Sequence, residues 1–175
     1  MRTSSKLLIV VAVQFAVLLS VIGFKQYTVW TADTVLLRTT VSDPAQLAAP
    51  GSAGVTYDIS TVDRAAFPAD VYGGEVWVEL QRGADGYWRD VAVHQKRERA
   101  YAGTVLIKGQ ATWSYPGAGS IAMRYGIEQV YAPAGGALPA GSGHTVAVEV
   151  RVDRFGQATP LRFLVDGQPT ELRRR

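Results

Sequence analysis

In HTVAVEVRVD, residues 144–153, Val146, Val148, Val150 and Val152 fall on one side of an extended chain, while Ala147, Glu149 and Arg151 fall on the other. Side chains of a strand alternate with a period of two, so this stretch predicts a half-buried β-strand with its valine face turned to a core. The same pattern recurs along the chain. EVWVEL, residues 75–80, sets Val76, Val78 and Leu80 on one face; a glycine-bounded turn from Gly83 to Gly86 follows, and then Val91 and Val93 alternate, which predicts a β-hairpin. A second hairpin is expected to turn near Asp153 to Gly156, and TVLLRTT, TVLIKGQATW and SIAMRYGI supply further β-branched runs. Glycine and proline punctuate the chain at short intervals, and outside the N-terminal apolar run no long stretch carries a helical period. The expectation is an all-β fold, a compact antiparallel β domain that is sandwich or barrel-like.

Ahead of these strands stands LLIVVAVQFAVLLSVIGF, residues 7–24, with no charge in 18 positions. As a helix it would extend about 27 Å, close to the roughly 30 Å hydrocarbon core of a bilayer. Only Gln14 and Ser20 interrupt it, so one N-terminal transmembrane helix is expected. It is read as an uncleaved signal anchor rather than a cleaved signal, whose apolar region runs about 7 to 15 residues. Arg2 and Lys6 outweigh Lys25, which keeps the amino terminus in the cytoplasm and places the remainder outside. The expected organisation is a short cytoplasmic segment 1–6, the anchor 7–24, a juxtamembrane linker 25–33, an extracytoplasmic β domain 34–172 and a basic tail 173–175. Within the anchor, Ala12, Ala16, Ser20 and Gly23 form a strip of small side chains, and Gln14 projects from the opposite side. Both features make Gln14, Ala12, Ala16 and Ser20 candidate contacts with other membrane helices.

Composition narrows the chemistry. A chain of 175 residues supports one well-buried domain plus an appendage, and with no cysteine it has neither disulfides nor a thiolate metal site. The net charge of +3 is matched by the three terminal arginines, and no basic residues interleave with aromatics as in a nucleic-acid module, so no nucleic acid is expected as a partner. His94 and His144, the two histidines, have no ligand spacing and read as exposed strand residues; no metal or cofactor is expected. The stretch YAPAGGALPAGSG, residues 131–143, reads as a mobile flap, since no helix or lysine follows to make it a phosphate loop. Glu75 and Glu79 flank Trp77, with Tyr87 and Trp88 across the hairpin, an arrangement that can grip a sugar but is read first as a solvated strand face. The uncharged joint DPAQLAAPGSAGVTYDIS, residues 43–60, reads as a turn set by Pro44, Pro50, Gly51 and Gly54, followed by a strand presenting Val55, Tyr57 and Ile59.

LLRTTVSDPAQL, MRYGIEQVYAP and FLVDGQPTEL together resemble the GDYXXLXY family of small, single-anchor bacterial envelope proteins. Leu37, Arg38 and Thr39 match its strand; Asp43, Pro44 and Leu47 match its turn; Tyr125, Gly126, Ile127, Glu128, Tyr131 and Pro133 match its later segment. The signature itself falls on residues 50–57, where Pro50, Gly51 and Ser52 replace glycine, aspartate and tyrosine, and only Val55 and Tyr57 keep its character. The resemblance implies a protein of the bacterial inner or plasma membrane, made alongside a multi-spanning membrane protein. Such a chain is also similar to signal-peptidase-like β domains, which use a serine nucleophile and a lysine base. Here Val41 stands at the nucleophile position, Ser42 is one residue off, and Lys96 lies in a hydrated charged turn, whereas a lysine base needs a desolvated site. The expected function is therefore a non-catalytic, membrane-anchored binding or assembly subunit of an envelope complex. The alternatives are a degenerate peptidase-like domain that binds peptide and a carbohydrate-binding envelope module. Glu128 is expected to serve structure, through Arg124 or Arg38.

Overall fold

The computed structural model describes residues 11–20, 23, 32–41, 43–44, 54–68, 73–112, 117, 119–129 and 141–171. The chain divides into two compact units, Met1–Ala32 and Asp33–Arg175. In the first, residues 11–20 are helical and exposed, and Ser20 Oγ donates back to the carbonyls of Ala16 at 2.8 Å and Val17 at 2.9 Å. That local bonding satisfies the hydroxyl without any partner beyond its own helix. Among the described residues no helix is long and apolar enough to cross a membrane. Residue 23 aside, the rest of the apolar run of residues 7–24 lies outside the described residues.

Among the described residues the second unit has nine strands: β1 (Asp33–Arg38), β2 (Thr61–Asp63), β3 (Gly74–Arg82), β4 (Trp88–His94), β5 (Thr104–Ala111), β6 (Ser120–Arg124), β7 (Val146–Val152), β8 (Ala158–Val165) and β9 (Gln168–Glu171). They form two antiparallel sheets, one in the order β1-β7-β8-β9 and the other β2-β6-β5-β3-β4. A single core joins them: Val35, Leu37, Val146, Val148, Val150, Val152 and Phe163 from the first sheet meet Val62, Val76, Val78, Leu80, Val93, Ile107 and Ile121 from the second. The four alternating valines of β7 are at most 1% exposed, each burial contributing about 1.5 kcal/mol or more. Both expected hairpins are present, with Gly86 N donating to Gly83 O and Gly156 N to Asp153 O. A third, unexpected one joins β8 to β9 through Asp166 and Gly167, both at positive φ. An Asp-Gly pair between apolar alternations is the sequence sign of such a two-residue turn.

Two expectations fail for local reasons. Val91 and Val93 do not share a face, because the β3–β4 register passes from Glu79↔Ala92 to Leu80↔Asp90 and leaves Val91 as the extra residue of a bulge. Val93 is 4% exposed and Val91 49% exposed, while Asp90, opposite core-facing Leu80, takes the inward place. Burial, and then the charge of Asp63, pushes its carboxyl above the usual range. Residues 55–59 likewise form no strand: Val55, Tyr57 and Ile59 are all buried, but Tyr57 makes one isolated bridge to Thr39 and a 3-10 turn, Asp58–Ser60, follows at once.

A third difference is topological. β4 and β5 flank β3 on opposite sides and both run antiparallel to it, so they are parallel to each other. β4 ends opposite Trp77 and β5 begins opposite Gln81, and residues 95–103 therefore cross β3 on the face away from the core. The charged HQKRER segment is this crossover and no simple turn.

Candidate functional site

Of the family-matching residues, Thr39, Tyr57, Tyr125, Ile127 and Glu128, far apart in the chain, converge at one corner of the domain. β1 carries Leu37 and Arg38 up to Thr39, which bridges Tyr57; Thr40 N donates to Thr56 O at 2.9 Å, and Val55 N donates to Glu128 O at 2.7 Å. Tyr57 and Tyr125 then bind across the junction in reciprocal fashion. Tyr57 Oη donates to Ile127 O at 2.7 Å, and Tyr125 Oη donates to Ile59 O at 2.8 Å. Each phenol satisfies a carbonyl of the other tyrosine's segment, two residues beyond that tyrosine. Burial, with the Glu128 charge second, pushes the Tyr57 hydroxyl well above its ordinary value; burial and then Asp90 and Glu128 do the same to Tyr125. Both remain neutral hydrogen-bond donors through the physiological range.

Small residues make the approach possible. A Cβ on Gly54, at φ +97°, would meet Glu128 O at 2.9 Å, so the strand-like entry demanded by the Val55–Glu128 bond excludes any side chain there. Gly109 in β5 lies under the Tyr125 ring, where a Cβ would stand 3.0 Å from Cε1. Glu128, for which the sequence offered Arg124 or Arg38, accepts the Tyr125 N–H through Oε1 at 2.5 Å; Arg38 Nε binds Asp58 Oδ2 at 2.9 Å. Glu128 thus caps the turn at Gly126, whose φ is +77°. Asp43 Oδ1 accepts Gly141 N at 3.2 Å, Pro44 is buried, and Leu47, Tyr131 and Pro133 lie outside the described residues.

Where β6 leaves β5 for this clasp, the sheet opens. The two strands pair only at Gln110↔Arg124 and Ala111↔Met123, and beyond that point a cleft of about 360 Å³ is lined by Glu75, Lys108, Gln110, Arg124, Glu128 and Gln157 among others. Lys108 Nζ and Glu75 Oε2 pair at 2.7 Å on its wall. Its lining mixes polar and apolar surface and carries both signs of charge.

The remaining sequence candidates are dispersed. Glu79, expected on a solvated face, is 4% exposed beneath the crossover: Thr104 Oγ1 donates to Oε1 at 2.6 Å and His94 Nε2 lies 3.0 Å from Oε2. Burial opposes its charge, yet these two partners prevail and hold the carboxyl below its usual range. His94 is accordingly half-buried and not free on a strand, with Glu98 3.5 Å from its Nδ1. His144 lies just before β7 and pairs with Asp166 at 2.7 Å; that bond, first among its causes, lowers the Asp166 pKa. Among the described residues no group of three His, Cys, Asp or Glu side chains could hold a metal. Trp77 offers no open platform, because a Cβ on Gly156 would strike its ring and the Arg97 guanidinium lies 5.8 Å from the ring centre. Lys96 is exposed, Val41 packs against the core, and Ser42 lies outside the described residues. The tyrosine exchange escaped sequence reasoning because a period-two pattern locates Tyr57 inside without saying what its hydroxyl meets; a buried phenol does require an acceptor, and that was the available signal.

No curated protein and no solved structure matches the chain. A family model described as GDYXXLXY protein does match, over residues 14–163, a span that includes every segment of the clasp. With most of its 175 residues covered, the chain belongs to the GDYXXLXY family.

Proposed function

We propose that this protein is a non-catalytic subunit that binds or assembles an envelope complex, held in the bacterial inner or plasma membrane by residues 7–24 with its β domain on the outer side. The observation that carries this reading is the use made of the family-matching residues. Thr39, Tyr57, Tyr125 and Glu128 are engaged in bonds to backbone and Arg38 in an ion pair with Asp58, so their chemistry goes into holding a shape. What that shape leaves open beside them is the cleft at the β5–β6 split, with Glu75, Glu128, Lys108 and Arg124 on its lining. A cleft with both charges and a diverging strand pair suits an extended polypeptide from a partner better than a small apolar ligand. The partner is a multi-spanning membrane protein, reached by the cleft on the outer side and by the Ala12, Ala16, Ser20 strip and Gln14 within the bilayer. A sugar-binding reading gains nothing from the covered Trp77, and a peptidase reading lacks a nucleophile at Val41.

Purification of the tagged chain in mild detergent tests the proposal. A multi-spanning membrane protein should accompany it in stoichiometric amount, and Arg124→Glu in the cleft, or a poly-leucine replacement of residues 7–24, should each reduce that amount. Recovery of the chain alone, or full retention of the partner by both variants, overturns the reading. A periplasm-only reporter fused after Arg175 should be active; a silent one overturns the topology.

A further inference from the structure

The crossover is held over β3 by side chains whose bonding turns on a single proton. His94, at the end of β4, has a carboxylate on each ring nitrogen: Nε2 lies 3.0 Å from Oε2 of Glu79 in β3, and Nδ1 lies 3.5 Å from Oε2 of Glu98 in the crossover. The two carboxylates differ in kind. The Glu79 side chain is 5% exposed and takes a second bond from Thr104 Oγ1, whereas the Glu98 side chain is 62% exposed. Two cations stand nearby. Arg97 of the crossover lies over Trp77, the residue paired with His94 across the sheet, and Lys108, opposite Trp77 in β5, is bound to Glu75.

An imidazole changes its hydrogen bonding with its charge. With two protons the ring donates to both carboxylates; with one it donates to one and turns a lone pair to the other. The remaining proton goes to Glu79, because a buried carboxylate that loses a donor cannot replace it with water and an exposed one can. Nδ1 and Glu98 then face each other as two acceptors, and Glu98 turns to solvent. We propose that His94 is a proton-operated latch on the crossover: the doubly protonated ring ties Glu98 down, and loss of one proton frees it while Glu79 keeps its bond to Thr104 at the far end. Arg97 is next to Glu98 in the chain, so its guanidinium leaves the Trp77 ring in the same step. The closed form binds the extra proton, so the latch closes as pH falls, until acid neutralises Glu98, and opens as pH rises.

Trypsin reads the latch, because Lys96, Arg97 and Arg99 are exposed in the crossover and cleavage there requires the segment to lift from the sheet. The full chain in mild detergent is digested at about pH 6 and at about pH 8, on either side of a histidine's change of charge. Initial cleavage rates in the crossover are divided by those of a free peptide spanning residues 94–104 at the same pH, which removes the enzyme's own pH dependence. The ratio should rise about three- to fivefold from the lower pH to the higher, the scale of one partly exposed charge pair. Glu98→Gln, whose amide can accept from a protonated Nδ1 or donate to a bare one, should hold the ratio at its low value throughout. His94→Gln has no proton to lose and should give a flat ratio too. The other histidine, His144, pairs with Asp166, and His144→Gln should leave the parental rise as it is. An equal parental ratio at the two pH values overturns the proposal, as does a rise that survives Glu98→Gln or vanishes in His144→Gln. Glu98 is exposed, so its variant decides the matter even where His94→Gln does not fold. Cleavage at Arg151 in β7 that rises in step with the crossover assigns the change to global unfolding and overturns the latch as well.

Discussion

The clasp and the crossover both bury polar groups at the margin of the core, and they satisfy them by opposite means. At the clasp, neutral phenols meet backbone carbonyls, and the ionisable hydroxyls are held in their uncharged form. Under the crossover, a carboxylate that is 4% exposed stays charged because Thr104 and His94 bind it. A neutral lock is insensitive to acid and salt, whereas a charged one depends on its partners' protonation and geometry. The segments matched to the family meet in the neutral lock, and the crossover lies over the other.

The clasp is most vulnerable at Gly54. Its φ of +97° disfavours any side chain, and the obstacle is the Glu128 carbonyl, which is backbone and cannot swing aside. Gly54→Val should cost about 3 kcal/mol or more, from strain and from loss of the Val55–Glu128 bond, and be read as a lowered urea midpoint. An unchanged midpoint would mean that the clasp does not hold this corner. Tyr57→Phe and Tyr125→Phe come next. Each leaves a buried carbonyl without its donor while keeping the ring, a loss of about 1 to 3 kcal/mol. Because the two bonds join the same pair of segments, the double variant should fall short of or exceed the sum, and strict additivity would show two independent contacts.

The pH dependence separates the two locks by sign. Glu79 has a folded pKa below its ordinary value of 4.5, so its stabilisation is present above that value and lost as pH falls through the folded pKa. Glu79→Gln should lower stability near neutrality by about 2 kcal/mol and flatten the acid limb of the stability profile. The tyrosines have folded pKa values above 10.0, so their contribution is present below pH 10.0 and lost as pH rises beyond it. An alkaline limb that survives in the Tyr57→Phe, Tyr125→Phe double variant would sink that assignment.

These effects also mark how far the sequence could be followed. The valine face of β7 was legible, since four valines at a period of two leave one register that buries them all, while the burial of Ala147 on the other face was not. β4 was legible only in part, because the pattern Val91, Val93 looks unbroken and a bulge is decided by the opposite strand at Glu79 and Leu80. The path of residues 95–103 follows from strand order, which no local pattern contains, and with it went the burial of Glu79. The apparent solvated face of β3 was the correct period with a missing cover. Of the clasp, the sequence located the members by family likeness and by the inward period of Val55, Tyr57 and Ile59. The exchange of hydroxyls between Tyr57 and Tyr125 depends on two irregular segments meeting, and irregular backbone has no period to read.

The smallest expected effect lies at the outer edge of the clasp. Arg38 matches the family and binds Asp58, but its side chain is 48% exposed and that of Asp58 33%, so water and salt screen the pair. An exposed pair of this kind contributes between zero and about 1 kcal/mol. Arg38→Gln should therefore leave the urea midpoint nearly where it is, in contrast to Gly54→Val and the tyrosine variants around it. If partner recovery in mild detergent also stays unchanged, Arg38 belongs to the surface of the clasp and nothing more. If recovery falls while the midpoint holds, the guanidinium acts outward, and the corner that the tyrosines lock from within is also a surface that a partner contacts.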